Sequence, residues 1–129
     1  MTDREAVADW VARYERAWRS PGTAGLDGLF TPAISYRPSP WAQPIVGLDE
    51  VRRFWEASRD EPDERFRLAS EVVAVDGSVG VVRVAVDYDD GESWRDLWVL
   101  GLDDHGRCDR FEEWPFRPDQ PDGHEGDRP

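Results

Sequence analysis

The 129-residue sequence contains no lysine, no asparagine and only one cysteine, Cys108. The missing lysine and asparagine are typical of codon bias in a GC-rich genome, and we infer no chemistry from them. The single cysteine excludes an internal disulfide and is consistent with a reducing compartment. A chain of this length can bury one core without disulfide or metal staples, so we expect a single domain.

Long apolar runs are also missing. No stretch of the sequence approaches the roughly 20 apolar residues that a helix needs to cross a bilayer. The N-terminal segment, Met-Thr-Asp-Arg-Glu, has neither the basic start nor the apolar stretch of a signal peptide. These absences predict a cytoplasmic protein without a membrane-spanning segment.

Positive charge is scarce, because 16 arginines stand against 28 acidic residues and the formal net charge is −12. Affinity for a polyanion depends on many cationic contacts, so a chain this acidic repels nucleic acids and anionic lipid surfaces. We therefore expect neither a nucleic acid nor a membrane as a partner.

Metal and cofactor sites are not expected either. His105 and Cys108 lie close in sequence, but the chain has no second ligand pair. It also has no glycine-rich phosphate loop. No Ser-His-Asp or Cys-His arrangement indicates covalent catalysis.

The N-terminal half of the sequence has the apolar spacing of helices. A first helix is predicted to begin near Thr2, which has capping-box spacing, and to end near Ser20. A short second helix is predicted around Leu26, and a third over residues 48–59. Between them, the proline-rich stretch 33–47 favours a folded loop.

The C-terminal half is rich in valine and aromatic residues with hairpin turn signals between them. Four strands are predicted over residues 65–75, 78–88, 93–102 and 107–116. Consecutive long strands joined by short turns predict a strongly curved antiparallel sheet. Residues 117–129 form an acidic tail without large apolar side chains and are expected to be disordered, which leaves residues 1–116 as the domain.

Pairing the strands around their turn residues gives one mainly apolar face with a polar centre, subject to a slip of one residue. In this register Asp96 lies opposite Glu113, and Arg83 is diagonal to Asp96. Opposed side chains lie about 5 Å apart, so the two carboxylates and the guanidinium are expected to touch. Two buried like charges raise one pKa while the arginine lowers the other, which provides an acid and a base for proton transfer. The alternative is a structural ion-pair network without catalysis.

Tryptophan is abundant, with seven residues in the chain. Most are expected in the core, because large aromatic side chains dominate burial in small domains. Tyr36 and Trp41 lie in the proline-rich stretch and are predicted to line a cavity, since loops often carry binding residues. Trp18, Trp55 and Trp98 are candidate substrate contacts in the same hollow.

Several short motifs along the chain occur in a familiar order. They are Tyr14-Glu15-Arg16-Ala17-Trp18, Leu29-Phe30-Thr31-Pro32, Tyr36-Arg37-Pro38, Pro44-Ile45-Val46-Gly47, Asp96-Leu97-Trp98-Val99-Leu100 and Glu113-Trp114. Together they resemble the nuclear transport factor 2-like (NTF2-like) superfamily, and especially its SnoaL-like members. The resemblance implies an α+β cone in which three helices cover a strongly curved, mainly four-stranded antiparallel sheet. Such a fold encloses a small-molecule pocket and often forms a homodimer.

The superfamily includes isomerases, cyclases, epoxide hydrolases and carriers, so the fold does not fix the reaction. Tyr14 matches an oxyanion-hole tyrosine of the isomerases and Asp96 falls near their neutral aspartic acid. Their general base, however, corresponds to Arg37, which cannot serve as a base. One hypothesis is acid-base catalysis on a small apolar or cyclic molecule by Asp96, Glu113 and Tyr14, oriented by Arg83. The alternatives are a ligand-binding module without catalysis and an epoxide-hydrolase-like group that activates water.

Overall fold

The computed structural model describes residues 2–58 and 65–121, in which three helices and six strands occur. The helices are α1 (Arg4–Arg19), α2 (Leu26–Leu29) and α3 (Leu48–Ser58). The strands are β1 (Phe30–Arg37), β2 (Ile45–Val46), β3 (Phe66–Asp76), β4 (Val79–Tyr88), β5 (Ser93–Leu102) and β6 (Cys108–Phe116). The chain is therefore α+β, as predicted. The predicted last residue of α3, Arg59, and residues 122–129 of the predicted tail lie outside the described residues.

Helix α1 begins one residue later than the capping-box spacing predicts. The cap is Asp3, whose side chain accepts a hydrogen bond of 2.8 Å from the backbone N–H of Ala6. The helix ends at Ser20, whose N–H bonds to carbonyls of the last turn. Its buried side chains are Val7, Trp10, Val11 and Tyr14. In the described part of the chain, no helix is long and apolar enough to cross a membrane.

The strands form one six-stranded sheet in the order β2-β1-β6-β5-β4-β3. Strands β3 to β6 pair antiparallel, as predicted, but β1 runs parallel to β6. The expected four-stranded sheet is therefore too small, because the stretch predicted as a loop contributes β1 and β2. Prolines do not prevent this pairing. Pro38, Pro40 and Pro44 lie between the two strands, and Pro32 lies where the β1–β6 register is irregular.

The core lies between the helices and the face of the sheet that they cover, which we call the inner face. Its largest side chains include Trp10, Phe30, Trp98 and Phe111. The Trp10 ring lies 5.7 Å from that of Phe111 and 5.8 Å from that of Phe30. The indole N–H of Trp10 donates to the carbonyl oxygen of Leu29 at 3.0 Å, so this buried polar group is satisfied. An aromatic cluster therefore fixes α1 on the sheet.

The register around β4 differs from the prediction. Arg83 lies opposite Leu97, and Val84 takes the position opposite Asp96. The Arg83 guanidinium lies on the outer face, 2.8 Å from a carboxylate oxygen of Glu71. This register buries valines and leaves the arginine hydrated, which is the cheaper arrangement. The prediction that Arg83 touches Asp96 is therefore wrong.

Candidate functional site

A cavity of about 620 Å³ opens between the helices and the inner face of the sheet. Its aromatic wall consists of Tyr14, Trp18, Tyr36, Phe54, Phe66, Tyr88, Trp94 and Trp98. Two carboxyl groups, those of Asp96 and Glu113, belong to the same wall, and charged residues of the β4–β5 turn line its exposed end. A cavity with apolar walls and few polar groups is typical of a small-molecule site.

The carboxyl groups of Asp96 and Glu113 come from neighbouring strands of the sheet. Asp96 on β5 lies opposite Pro115, and Trp98 lies opposite Glu113. The β5–β6 register differs from the predicted one by two residues, which preserves the faces and makes the two acids diagonal neighbours instead of opposed ones. The two carboxyls lie close enough to interact directly, and a hydrogen bond between them requires one of the two to carry a proton.

Both acids of this carboxyl pair hold protons more tightly than usual. Burial raises the pKa of Glu113 well above its ordinary range, and the neighbouring charge of Asp96 raises it further. Burial also raises the pKa of Asp96, although hydrogen bonds from Glu113 and Trp98 oppose the effect. The Trp98 indole N–H donates to Oδ2 of Asp96 at 3.1 Å. Glu113 therefore holds the proton of the pair more firmly than Asp96 does.

Two tyrosine hydroxyls continue the network from the carboxyl pair. The Tyr36 hydroxyl donates to Oε1 of Glu113 at 3.4 Å, and the Tyr14 hydroxyl lies close to that of Tyr36. Burial raises the pKa of both tyrosines well above the ordinary value, so both remain neutral donors. Helix α1, strand β1 and strands β5 and β6 thus each place a polar group in one buried cluster.

The predicted tryptophan contacts differ in their positions relative to the cavity. Trp18 and Trp98 line the cavity. Trp55 is fully buried behind the wall, with its ring 5.2 Å from that of Tyr14 and 4.8 Å from that of Trp18. Trp41 is 97% exposed and lies outside the cavity wall, because it falls in the connection between β1 and β2. The prediction that Trp41 lines the cavity is therefore wrong.

Other wall residues were not among the predicted site residues. Phe54 lies one position before Trp55 on α3, and its helical spacing marks it as an inward-facing residue. Phe66 and Trp94 lie on the predicted inner face, but nothing in their spacing distinguishes a cavity wall from the core. Tyr88 could not be placed, because the one-residue slip of β4 assigns it to the opposite face.

No group of three or more histidine, cysteine, aspartate or glutamate side chains within residues 2–58 and 65–121 could hold a metal ion.

The sequence of this chain is similar to that of a known protein family. The sequence matches the SnoaL-like domain family over residues 11–111. The chain belongs to this family. No curated protein matches it.

Solved structures share the fold of this SnoaL-like chain. An NTF2-like protein of unknown function from Mesorhizobium loti is 23% identical, with a TM-score of 0.65 over 90% of this chain and 96% of that chain. SalBIII, named as an epoxide hydrolase/cyclase-like enzyme with a role in pyran ring formation in salinomycin, is 14% identical, with a TM-score of 0.70 over 90% and 95%. The CaMKII hub of S. rosetta is 17% identical, with a TM-score of 0.62 over 90% and 98%. At these identities the likeness establishes an NTF2-like fold and leaves the activity open.

Proposed function

We propose that this SnoaL-like protein is an acid-base catalyst of the isomerase or cyclase kind, acting on a small apolar or cyclic organic molecule. The observation that carries the proposal is the buried, hydrogen-bonded carboxyl pair in an aromatic cavity. Proton transfer is most effective when the pKa of the catalytic group lies near the working pH. Burial moves the pKa of Glu113 in that direction.

The mechanism assigns a role to each polar group of the network. The ionised carboxyl of the Asp96–Glu113 pair removes a proton from a carbon beside a carbonyl of the substrate. The electrons of the broken C–H bond move to the carbonyl oxygen, which becomes an enolate. Tyr14, a neutral hydroxyl donor, stabilises the negative charge on that oxygen. Where the substrate has a carbon–carbon double bond next to that carbon, the enolate is conjugated with it, and a carboxyl of the pair returns the proton to the far carbon of the bond. The double bond moves, and no proton or electron is gained or lost.

The proposal is tested with cyclooctanone in deuterium oxide, by NMR detection of hydrogen exchange beside the carbonyl. The protein is expected to accelerate exchange over buffer alone. Glu113→Gln should slow the catalysed exchange about 10²–10⁴-fold, the usual contribution of a positioned acid or base. The matched control is Glu71→Gln, the same substitution on the outer face, which should leave exchange unchanged.

A second candidate function, ligand binding without catalysis, is favoured by one observation. Arg37 stands where the isomerases carry their general base, and its guanidinium donates to the carbonyl oxygen of Ala42 at 2.9 Å instead of lining the cavity. Chemical-shift changes of the Trp98 indole on adding cyclooctanone, without catalysed exchange, would support this candidate and contradict the catalytic one.

Epoxide-hydrolase-like water activation requires an arginine between two carboxylates. Arg83 was the predicted arginine, and it pairs with Glu71 on the outer face. Within the described residues, the wall of the cavity places no guanidinium between Asp96 and Glu113. The epoxide-hydrolase-like hypothesis therefore lacks the arginine on which it depends.

A further inference from the structure

The carboxyl pair carries a negative charge without a fixed cation. Among the described residues, no arginine or histidine forms a salt bridge with Asp96 or Glu113. Buried charges in proteins are almost always paired, because leaving water is costly for an isolated ion. The sharing of one proton reduces the charge of the pair but does not neutralise it. The site therefore has a place for a positive charge that these residues do not supply.

One oxygen of the pair is also short of hydrogen-bond donors. Asp96 is 8% exposed and lines the cavity. Its Oδ2 accepts from the indole of Trp98, whereas Oδ1 meets no donor among the described residues. The Glu113 carboxyl can satisfy Oδ1 only through the proton that the two acids share. A donor on a ligand in the cavity would complete the hydrogen bonding of this carboxylate.

The walls around the pair suit a cation as well as an apolar ring. The faces of aromatic side chains attract ammonium groups, most strongly where water is excluded. Tyr14, Tyr36 and Trp98 line the cavity together with the two acids. One ring of the same wall already holds a cation, since the Arg19 guanidinium lies 4.0 Å from the centroid of Phe66.

The exposed end of the cavity has more acids than bases. Asp89, Asp90 and Glu92 line it from the β4–β5 turn, and Arg65 is the basic residue in its wall. Arg117 approaches from the chain beyond β6, with its guanidinium 5.4 Å from the ring of Trp94. The field at the entrance therefore favours the approach of a cation over that of an anion, within a chain of net charge −12.

We propose that the ligand of this cavity is a small cyclic amine, bound as its ammonium ion with the positive charge against Asp96 and Glu113. Asp96 supplies the negative charge, Glu113 retains the proton, and the aromatic wall packs against the apolar ring of the ligand. The inference concerns binding in the same cavity and goes beyond the proposed function, because an amine ligand need not carry the carbonyl group on which the proposed proton abstraction depends.

The test compares three ligands that share one ring: cyclooctylamine, cyclooctanol and cyclooctanone. Their dissociation constants are measured by calorimetry with the full chain at neutral pH, where only the amine is charged. A hydrogen bond to a charged group contributes enough that the amine should bind about tenfold to a hundredfold more tightly than the ketone. The alcohol separates charge from hydrogen bonding, because it donates a hydrogen bond but is neutral, and it should bind nearly as weakly as the ketone.

Variants show whether the preference comes from the carboxyl pair. Asp96→Asn keeps the shape of the side chain and should reduce the preference for the amine to about threefold or less, since a neutral amide supplies no charge. Asp96→Ser provides a second variant should Asp96→Asn fail to fold, and it should lower the preference in the same direction because it also removes the charge. Glu71→Gln is the control, because it changes the net charge equally from the outer face and should keep the full preference.

The inference is overturned if the amine does not bind, if cyclooctanone or cyclooctanol binds as tightly as the amine, or if the preference survives both pair variants. Its failure is distinguishable from failure of the proposed function. Catalysed exchange of cyclooctanone without tighter binding of the amine would contradict the amine inference but not the proposed function. Selective amine binding without catalysed exchange would contradict the catalytic proposal and support the proposed ligand class.

Discussion

A single proton determines the chemistry of Glu113 and Asp96. Burial makes two charged carboxylates costly, so the pair keeps one proton that an exposed pair would release. Trp98 and Tyr36 each donate a hydrogen bond to the pair and thereby fix its orientation. Loss of that proton leaves two charged carboxylates buried. The arrangement that suits the pair to proton transfer therefore destabilises the folded state once both acids are ionised.

The pH dependence of stability should therefore report the state of Glu113. Its pKa is raised above the unfolded value of 4.5, so the stabilising contribution is complete below that value and is lost as the pH rises through the native pKa. The unfolding free energy of the wild type should fall relative to that of Glu113→Gln in this window, by at most about 1.4 kcal/mol per pH unit. Urea unfolding of both proteins across the acidic and neutral range measures the difference. A difference that does not vary with pH would contradict the assignment.

At the scale of elements, the helix and strand positions follow from local patterns, but the register does not. The apolar spacing of α1 and the turn signals between β3, β4, β5 and β6 predict these elements closely. The β4–β5 register differs from the predicted one by one residue, since Val84 and not Ala85 lies opposite Asp96, and no local signal marks this slip. Arg83 and Tyr88 were misplaced for this reason, whereas Asp96 and Glu113 kept their face because their register error was an even number of residues.

Strand β1 was not predicted from the sequence, for a different reason. Strand β1 pairs in parallel with β6, about 75 residues further along the chain. Such a pairing leaves no turn signal in the sequence, and the prolines around Tyr36 favour a loop. The candidate site was therefore predictable where it depends on the alternation within β5 and β6. It was not predictable where it depends on distant pairing.

The packing of α1 on β4 is expected to be sensitive to one glycine. A Cβ atom at Gly80 would lie 2.7 Å from Cγ2 of Val7 on α1. Gly80→Ala should therefore destabilise the protein by about 1–3 kcal/mol through overpacking, as measured by thermal or urea unfolding. Gly28→Ala is the control, because a Cβ there meets nothing within 4 Å, and this variant should be neutral or slightly stabilising. Equal stability of the two variants would contradict the close approach of helix and sheet.

At the scale of the whole molecule, the outer face of the sheet has features of an interface. Leu97 and Trp114 are opposed in the β5–β6 register and are 41% and 40% exposed. The ion pair of Arg83 and Glu71 lies beside them, since Arg83 is opposite Leu97. Contiguous exposed apolar side chains with a charged border are typical of protein–protein contacts. We propose that two copies of the chain associate through this face, as the expected homodimer.

Sedimentation velocity tests this association. Leu97→Glu combined with Trp114→Glu should shift the protein from dimer to monomer, because the two copies together would bury four acquired charges in the contact. The control is Val46→Glu on the edge strand β2, where an exposed residue outside the face is changed. Added salt should strengthen the wild-type dimer, since two chains of net charge −12 repel each other. A wild type that sediments as a monomer at all salt concentrations would contradict the proposal.

The central position of β6 in the sheet also affects how the chain can fold during its synthesis. This strand is the last to leave the ribosome, yet it lies between β1 and β5 in the finished sheet. Until it emerges, β1 can pair only with β2, and the aromatic side chains of α1 and β1 lack the surface that covers them. Glu113 arrives with that same strand. A chain truncated before β6 therefore lacks half of the carboxyl pair as well as the centre of the sheet, and it cannot form the candidate site.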